Sequence, residues 1–205
     1  LRCAFCHNPD TWATSSGEEK SAREVADDVI KYCEFFKSSG GGFTASGGEP
    51  LLHSEFLVEL LQILKSENIS SAIDTCGSVD ITENIEKIVD LADLFLLDIK
   101  HLDSDLHKNL TGKSNEKILK FLEYLASKKK EIHIRIVLLN GISAEENYIV
   151  NLAKFLKKYS TISRIDLLPY HTLGVKKWEA LNLPYKLDDS ALVSTDKAER
   201  IKKIF

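Results

Sequence analysis

The sequence predicts an α/β fold in which parallel strands alternate with helices: a βα barrel, closed or partial, whose first strand lies upstream of Leu1. Three observations predict it. Helix and strand patterns alternate from about residue 20 to the end. The run Leu94-Phe95-Leu96-Leu97-Asp98-Ile99 is almost continuously apolar, as expected of a strand buried on both faces. Polar residues recur where the strands end. Such alternation joins parallel strands by right-handed crossovers. Cys3 and Cys6 precede the first helix, so their loop is expected to follow a strand earlier than any this chain shows.

The elements follow in order. Ser21-Ala22-Arg23-Glu24 reads as a capping box, with Val25, Val29, Cys33 and Phe36 as the apolar stripe behind it. Residues 41–46 read as a short buried strand running into a glycine turn. Ser54 opens a helix carrying Phe56, Leu57, Leu60, Leu61 and Leu64; residues 71–75 are strand-like and 81–91 helical. After the apolar run, 115–128 is helical, and 132–139 is a strand interrupted by His133 and Arg135. Ser143-Ala144-Glu145-Glu146 caps a helix reaching about Tyr159, 164–168 is the last strand and 196–204 the last helix. Five strands are visible. With no repeat, linker or low-complexity segment, residues 1–205 read as one domain.

Composition excludes several classes. With 27 Lys and Arg against 31 Asp and Glu, the net charge of -4 gives no concentrated basic face for nucleic acid. Lys128-Lys129-Lys130 and Lys157-Lys158 fall late in helical patterns, where cations suit the helix dipole. No apolar stretch has the length of a membrane span and no signal-peptide pattern opens the chain, so a cytoplasmic protein is expected. The chain contains no Met, so Leu1 is not a translation start. Its four cysteines form one close pair and two scattered singles, which fits a reducing compartment and a metal or redox role for the pair.

In parallel βα architectures the site forms at the carboxyl ends of the strands. Those ends carry Gly47-Gly48-Glu49, Asp74-Thr75, Asp98-Ile99-Lys100, Arg135 within its strand, and Tyr170-His171, which together imply one shared pocket. Glycines permit close backbone approach to a ligand, and Glu49 suits a cationic amine. Asp74 and Asp98 suit a small cation through oxygen ligands, or one of them a pairing with Lys100. From spacing alone, Cys3-x-x-Cys6 fits half a zinc site, a thiol redox pair or part of an iron–sulfur site, and all three stay open.

Longer motifs narrow the choice. Cys3-Ala-Phe-Cys6-His7-Asn8-Pro9-Asp10-Thr11-Trp12 resembles the second half of the CxxxCxxC motif of radical S-adenosylmethionine (SAM) enzymes, in the form found in the activating enzymes of glycyl radical enzymes. Gly40 to Pro50, Asp74-Thr75-Cys76-Gly77, Leu97-Asp98-Ile99-Lys100 and Leu167 to Gly174 match the same family in the same order, so the resemblance spans essentially the whole chain. It implies a partial (β/α)6 barrel and a 4Fe-4S cluster held by three cysteines, Cys3 and Cys6 being two and the third lying upstream of Leu1. Gly47, Gly48 and Glu49 would hold the methionine amine of SAM. Asp74, Thr75, Leu96 through its backbone, and Asp98 would frame a monovalent cation. Phe5, Asn8, Asp74, Lys100, Arg135, Leu168 and His171 match positions lining the SAM pocket. The implied chemistry is reductive cleavage of SAM, then abstraction of hydrogen from a backbone glycine of a partner enzyme, with flavodoxin or ferredoxin as reductant. Only Cys33 lies between the cluster loop and the GGE segment, which favours the pyruvate formate-lyase type. Other classes consistent with the barrel are a radical SAM enzyme acting on a small molecule or nucleoside, and a cluster-less, non-catalytic barrel. Cys76 stands where Asn is common in this family and reads as a small buried filler.

Overall fold

A computed structural model describes residues 1–13 and 17–205. Among them, five strands form one parallel sheet in sequence order: β1 (Phe43–Ala45), β2 (Ser71–Thr75), β3 (Leu94–Asp98), β4 (Glu131–Leu138) and β5 (Ile162–Pro169). Consecutive order in a parallel sheet is what repeated βα crossovers build. The register sets Asp74 beside Leu96, Asp98 beside Arg135, Arg135 beside Asp166 and Val137 beside Leu168.

The crossovers are α1 (Ala22–Ile30) and α2 (Cys33–Ser39) before β1, α3 (Ser54–Ser66), α4 (Glu83–Leu91), α5 (Ser104–Thr111) with α6 (Glu116–Ser127), and α7 (Glu146–Leu156). After β5 come α8 (Val175–Ala180) and α9 (Thr195–Lys202). Side chains alternate across a strand. Ile73, Phe95, Leu97, Ile132, Ile134, Ile136 and Leu138 therefore face the helices, where they pack with Ile88, Phe121, Leu125 and Leu152 in the main core. Phe95 and Phe121 meet edge to face with centroids 6.0 Å apart.

Three expectations change. The β3 run is buried on one face only: Phe95 and Leu97 are fully buried, whereas Leu94, Leu96 and Asp98 are half-buried. They point to the opposite face of the sheet, which carries the charged residues of β2 to β4. The first helix has its predicted capping box at Ser21 and Glu24 but breaks into α1 and α2. The bend keeps one stripe, Val25, Val29, Cys33 and Phe36, against Leu60, Leu64 and Phe43. Finally, Ser143 does not cap α7, whose N-cap is Glu145. Its buried hydroxyl holds the preceding loop instead, donating to the Val137 carbonyl (2.6 Å) and accepting from Leu139 N–H (2.9 Å). The lysine clusters follow the ends of α6 and α7, as the charge pattern predicts.

Candidate functional site

The site grows from the strand ends. Gly47 follows β1 with φ at +123°, a backbone that side-chain-bearing residues rarely adopt. The turn carries Glu49 across to the end of β2. There one carboxylate oxygen accepts from the Thr75 hydroxyl (2.5 Å) and the Leu51 N–H (3.2 Å). The other accepts from the Cys76 N–H and the Cys76 thiol, both at 2.9 Å. Four donors fix this carboxylate, and Thr75 is buried beneath it. Cys76 is thus more than a filler: its backbone and its thiol both donate to Glu49, and the thiol's pKa is pushed far up by burial and by the Glu49 charge.

The next side chains on the face opposite the main core form an ion-pair chain. Arg135 Nη1 lies 2.5 Å from Asp74 Oδ2, and its Nε lies 3.9 Å from Asp98 Oδ1. Asp98 Oδ2 accepts from Lys100 Nζ at 2.8 Å. Burial works against the Lys100 ammonium, yet Asp98 and Cys3 outweigh it and its pKa is raised. Lys100 also sits 5.4 Å above the ring of buried Phe5, between the two cysteines of the loop. It joins the strand ends to that loop.

The loop is a tight turn, with Cys6 N–H donating to the Cys3 carbonyl (3.1 Å). Two further backbone bonds, Arg2 N–H to Thr111 O (2.9 Å) and Ala4 N–H to Leu110 O (2.8 Å), tie it to the end of α5. Burial pushes the Cys3 thiol up, and the Lys100 charge opposes this. Two thiols on one turn beside a buried cation supply the donor chemistry of two iron–sulfur ligands. Cys33 lies on α2 and Cys76 at the end of β2, and no disulfide joins any of the four cysteines.

Most residues the sequence singles out converge here. Gly47, Gly48, Glu49, Asp74, Thr75, Asp98, Lys100 and Arg135 form one connected group touching Cys3 and Phe5. Leu96 and Leu168 lie half-buried beside it on β3 and β5. Asn8 and His171 belong to a neighbouring group. The His171 ring is 4.2 Å from the His7 ring, and its carbonyl lies 3.3 Å from His7 Nε2. Asn8 Oδ1 accepts from Lys177 Nζ at 2.9 Å rather than meeting the strand ends. Asp74 and Asp98 are both engaged by cations of the chain, so the pairing alternative for Asp98 holds. Among the described residues, no three His, Cys, Asp or Glu side chains form a metal-ligand group. Sequence reasoning missed Lys177 and Trp178, whose only signal is proximity to the Leu167–Gly174 motif.

Cysteine loop, glycine turn and charged strand ends on a consecutive parallel sheet define a class of protein, and comparison with known families agrees. Residues 1–156 match the radical SAM superfamily, and the chain belongs to it. A 4Fe-4S cluster and SAM are the cofactors that family membership implies. Among similar proteins, the pyruvate formate-lyase-activating enzyme of Listeria monocytogenes is 42% identical over 193 residues, covering 92% of this chain and 78% of the relative. The pyruvate formate-lyase 1-activating enzyme of Escherichia coli is 38% identical over 205 residues, covering 100% of this chain and 83% of the relative. A crystal structure of a domain of the pyruvate-formate lyase-activating enzyme of Bacteroides vulgatus superposes with a TM-score of 0.66 at 31% identity, covering 80% of this chain and 92% of that one. Among the described residues no helix is long and apolar enough to cross a membrane.

Proposed function

We propose that this protein activates a glycyl radical enzyme of the pyruvate formate-lyase type by reductive cleavage of SAM. The observation that carries the reading is Lys100: one buried ammonium bridges the strand-end carboxylates and the Cys3–Cys6 loop, so a zwitterionic amino acid at the strand ends would lie against the cluster. A cluster held by Cys3, Cys6 and a third cysteine would supply the one electron that breaks a C–S bond of SAM and releases methionine, the chemistry that ends in loss of hydrogen from the partner's glycine.

The chain's own residues bind and orient. Cys3 and Cys6 hold two iron positions as thiolates. Glu49, already aimed by Thr75 and Cys76, takes the methionine amine above the Gly47–Gly48 turn. Lys100 and Arg135 balance the carboxylate, while Phe5, Asn8, Leu168 and His171 wall the pocket. Asp74, Thr75, the Leu96 carbonyl and Asp98 frame a monovalent cation, which requires Arg135 to share Asp74. Flavodoxin or ferredoxin is the electron donor, in the cytoplasm, in keeping with four free cysteines. Such a site works by fixing the reactive carbon against the glycine and excluding water.

The test is anaerobic iron–sulfur reconstitution with SAM, a reductant and pyruvate formate-lyase. The expected result is 5′-deoxyadenosine together with a glycyl radical signal on the lyase. SAM cleavage without that signal would move the reading to a small-molecule substrate; no cleavage would leave a non-catalytic barrel.

A further inference from the structure

The two motifs at opposite ends of the chain, His7-Asn8-Pro9-Asp10-Thr11-Trp12 and Tyr170-His171-Thr172-Leu173-Gly174, are used by the proposed chemistry at only two positions, yet the first packs against the second and the helix α8 that follows it. Trp178 Nε1–H donates to the Cys6 carbonyl at 2.8 Å, across 172 residues of sequence. The Trp178 indole is buried, with 4% of its surface exposed, and stands edge-on between the rings of Trp12 (5.0 Å) and Tyr185 (5.1 Å). Tyr185 in turn shares a 2.8 Å hydroxyl hydrogen bond with buried Tyr170. Gly174 is pressed onto the loop: a Cβ there would stand 3.0 Å from His7 Cα and 3.3 Å from the Cys6 carbonyl oxygen. Lys177 reaches Asn8 and Asp10 from the same turn.

We infer that the segment from Thr172 to Ala180 is a clamp on the cysteine loop and that Trp178 is a positioning residue for Cys6. Among the described residues, the indole is the only side chain found donating to the Cys6 carbonyl, and its N–H is a donor with no acceptor role. Outer groups that hydrogen-bond to a ligating residue orient it for the metal, and here the bond fixes the backbone from which the Cys6 side chain projects. The catalytic consequence rests on the proposed function, because it takes Cys6 to be an iron ligand. The clamp itself does not.

Hydrogen exchange of the protein before cluster loading separates the two. Trp178→Phe keeps an aromatic ring and removes the donor. Exchange at the amides of Ala4, Cys6 and Thr11 is expected to rise roughly three- to tenfold, the loss of one net hydrogen bond, with β3 and β4 unchanged. Gly174→Ala, allowed by its backbone but tight against His7, is expected to raise the same amides by steric displacement. In the reconstituted protein, Trp178→Phe is expected to lower kcat for SAM cleavage and leave the KM for SAM within about twofold, since Glu49 is untouched. Wild-type exchange rates in the loop of both variants would overturn the clamp. So would an equal rise across the whole sheet, which would make Trp178 a general core residue. Absence of SAM cleavage by the wild-type protein overturns the proposed function and leaves the exchange result standing.

Discussion

The strand-borne half of the site and the loop-borne half differ in what fixes them. Asp74, Asp98 and Arg135 project from β2, β3 and β4, and the other faces of those strands bury Ile73, Phe95, Leu97 and Ile134 completely. Moving any of these charged groups means breaking the sheet. Residues 3–12 have no strand behind them. Buried Phe5 packs on Leu110, Leu139 and Tyr170, and the rest is held by the Ala4 backbone bond to α5 with a second from neighbouring Arg2, by contacts with His171 and Gly174, by the Trp178 indole and by Lys177. Local opening follows the number of buried contacts a segment must give up, so the strand half shares the stability of the whole fold and the loop half opens separately. Under the proposed function, a loop that accepts a cluster would benefit from this independence, and a face that binds SAM from rigidity.

The sharpest way to break the comparison is to weaken the sheet. Phe121→Ala removes a fully buried ring that meets Phe95 edge to face, and is expected to cost about 3–5 kcal/mol in urea unfolding. Exchange in both halves is expected to rise together, because the loop rides on the fold although the fold does not depend on the loop. Arg135→Met tests the strand half alone. It leaves Asp74 without its cation, while Asp98 keeps Lys100. The expected cost is about 1–2 kcal/mol, less than for a fully buried pair because the Arg135 and Asp74 side chains are 29% and 24% exposed. Loss of SAM binding by calorimetry should exceed the loss of stability if, as in the proposed function, the same guanidinium balances the ligand's carboxylate.

How much of this was legible follows the same division. The strands are written in periodic apolar runs, so all five appear in the sequence within about two residues, and their polar ends announce the pocket. The face on which the helices pack could not be read. Leu94 and Leu96 are as apolar as Phe95 and Leu97, and only the side of the sheet on which the helices pack separates them. The donors to Glu49 were half legible: Thr75 stands in a motif, whereas the Cys76 thiol looks like any small apolar residue until its 2.9 Å partner is seen. The clamp was not legible at all, since nothing local ties Trp178 to a cysteine loop 172 residues away.

Acid separates the halves more gently. His107 on α5 is fully buried; its Nδ1 donates to the Lys113 carbonyl at 2.7 Å, while Nε2 has no partner among the described residues. Burial pushes its pKa down, with Lys100 and His101 adding to the effect. The unfolded chain takes up a proton near the ordinary histidine value of about 6.5 and the folded chain resists it, so the stability this group contributes is present above that value and lost as pH falls below it. Since α5 supplies the carbonyls that hold Arg2 and Ala4, the loop half is expected to loosen first. His107→Asn should reduce the slope of unfolding free energy against pH by up to about 1.4 kcal/mol per unit below pH 6.5. A slope unchanged by the substitution would assign the acid sensitivity to His7 and His101, which burial also lowers.

The smallest effect belongs to Lys177. Its ammonium meets Asn8 at 2.9 Å and Asp10 at 3.2 Å, but the Lys177 and Asp10 side chains are 46% and 49% exposed. An ion pair in such surroundings contributes about 0–1 kcal/mol and is screened by salt. Lys177→Met keeps most of the stem and removes the charge, so the melting temperature is expected to stay within experimental scatter. Loop exchange should rise about twofold at low salt, and wild type and variant should converge at about 1 M salt, where the screening length falls to about 3 Å. The Trp178→Phe effect, which arises from a buried neutral donor, should survive the same salt. If salt abolished both, the loop would be held by surface charge, and the contrast between a charged, exposed tie and a buried, directional one would fail.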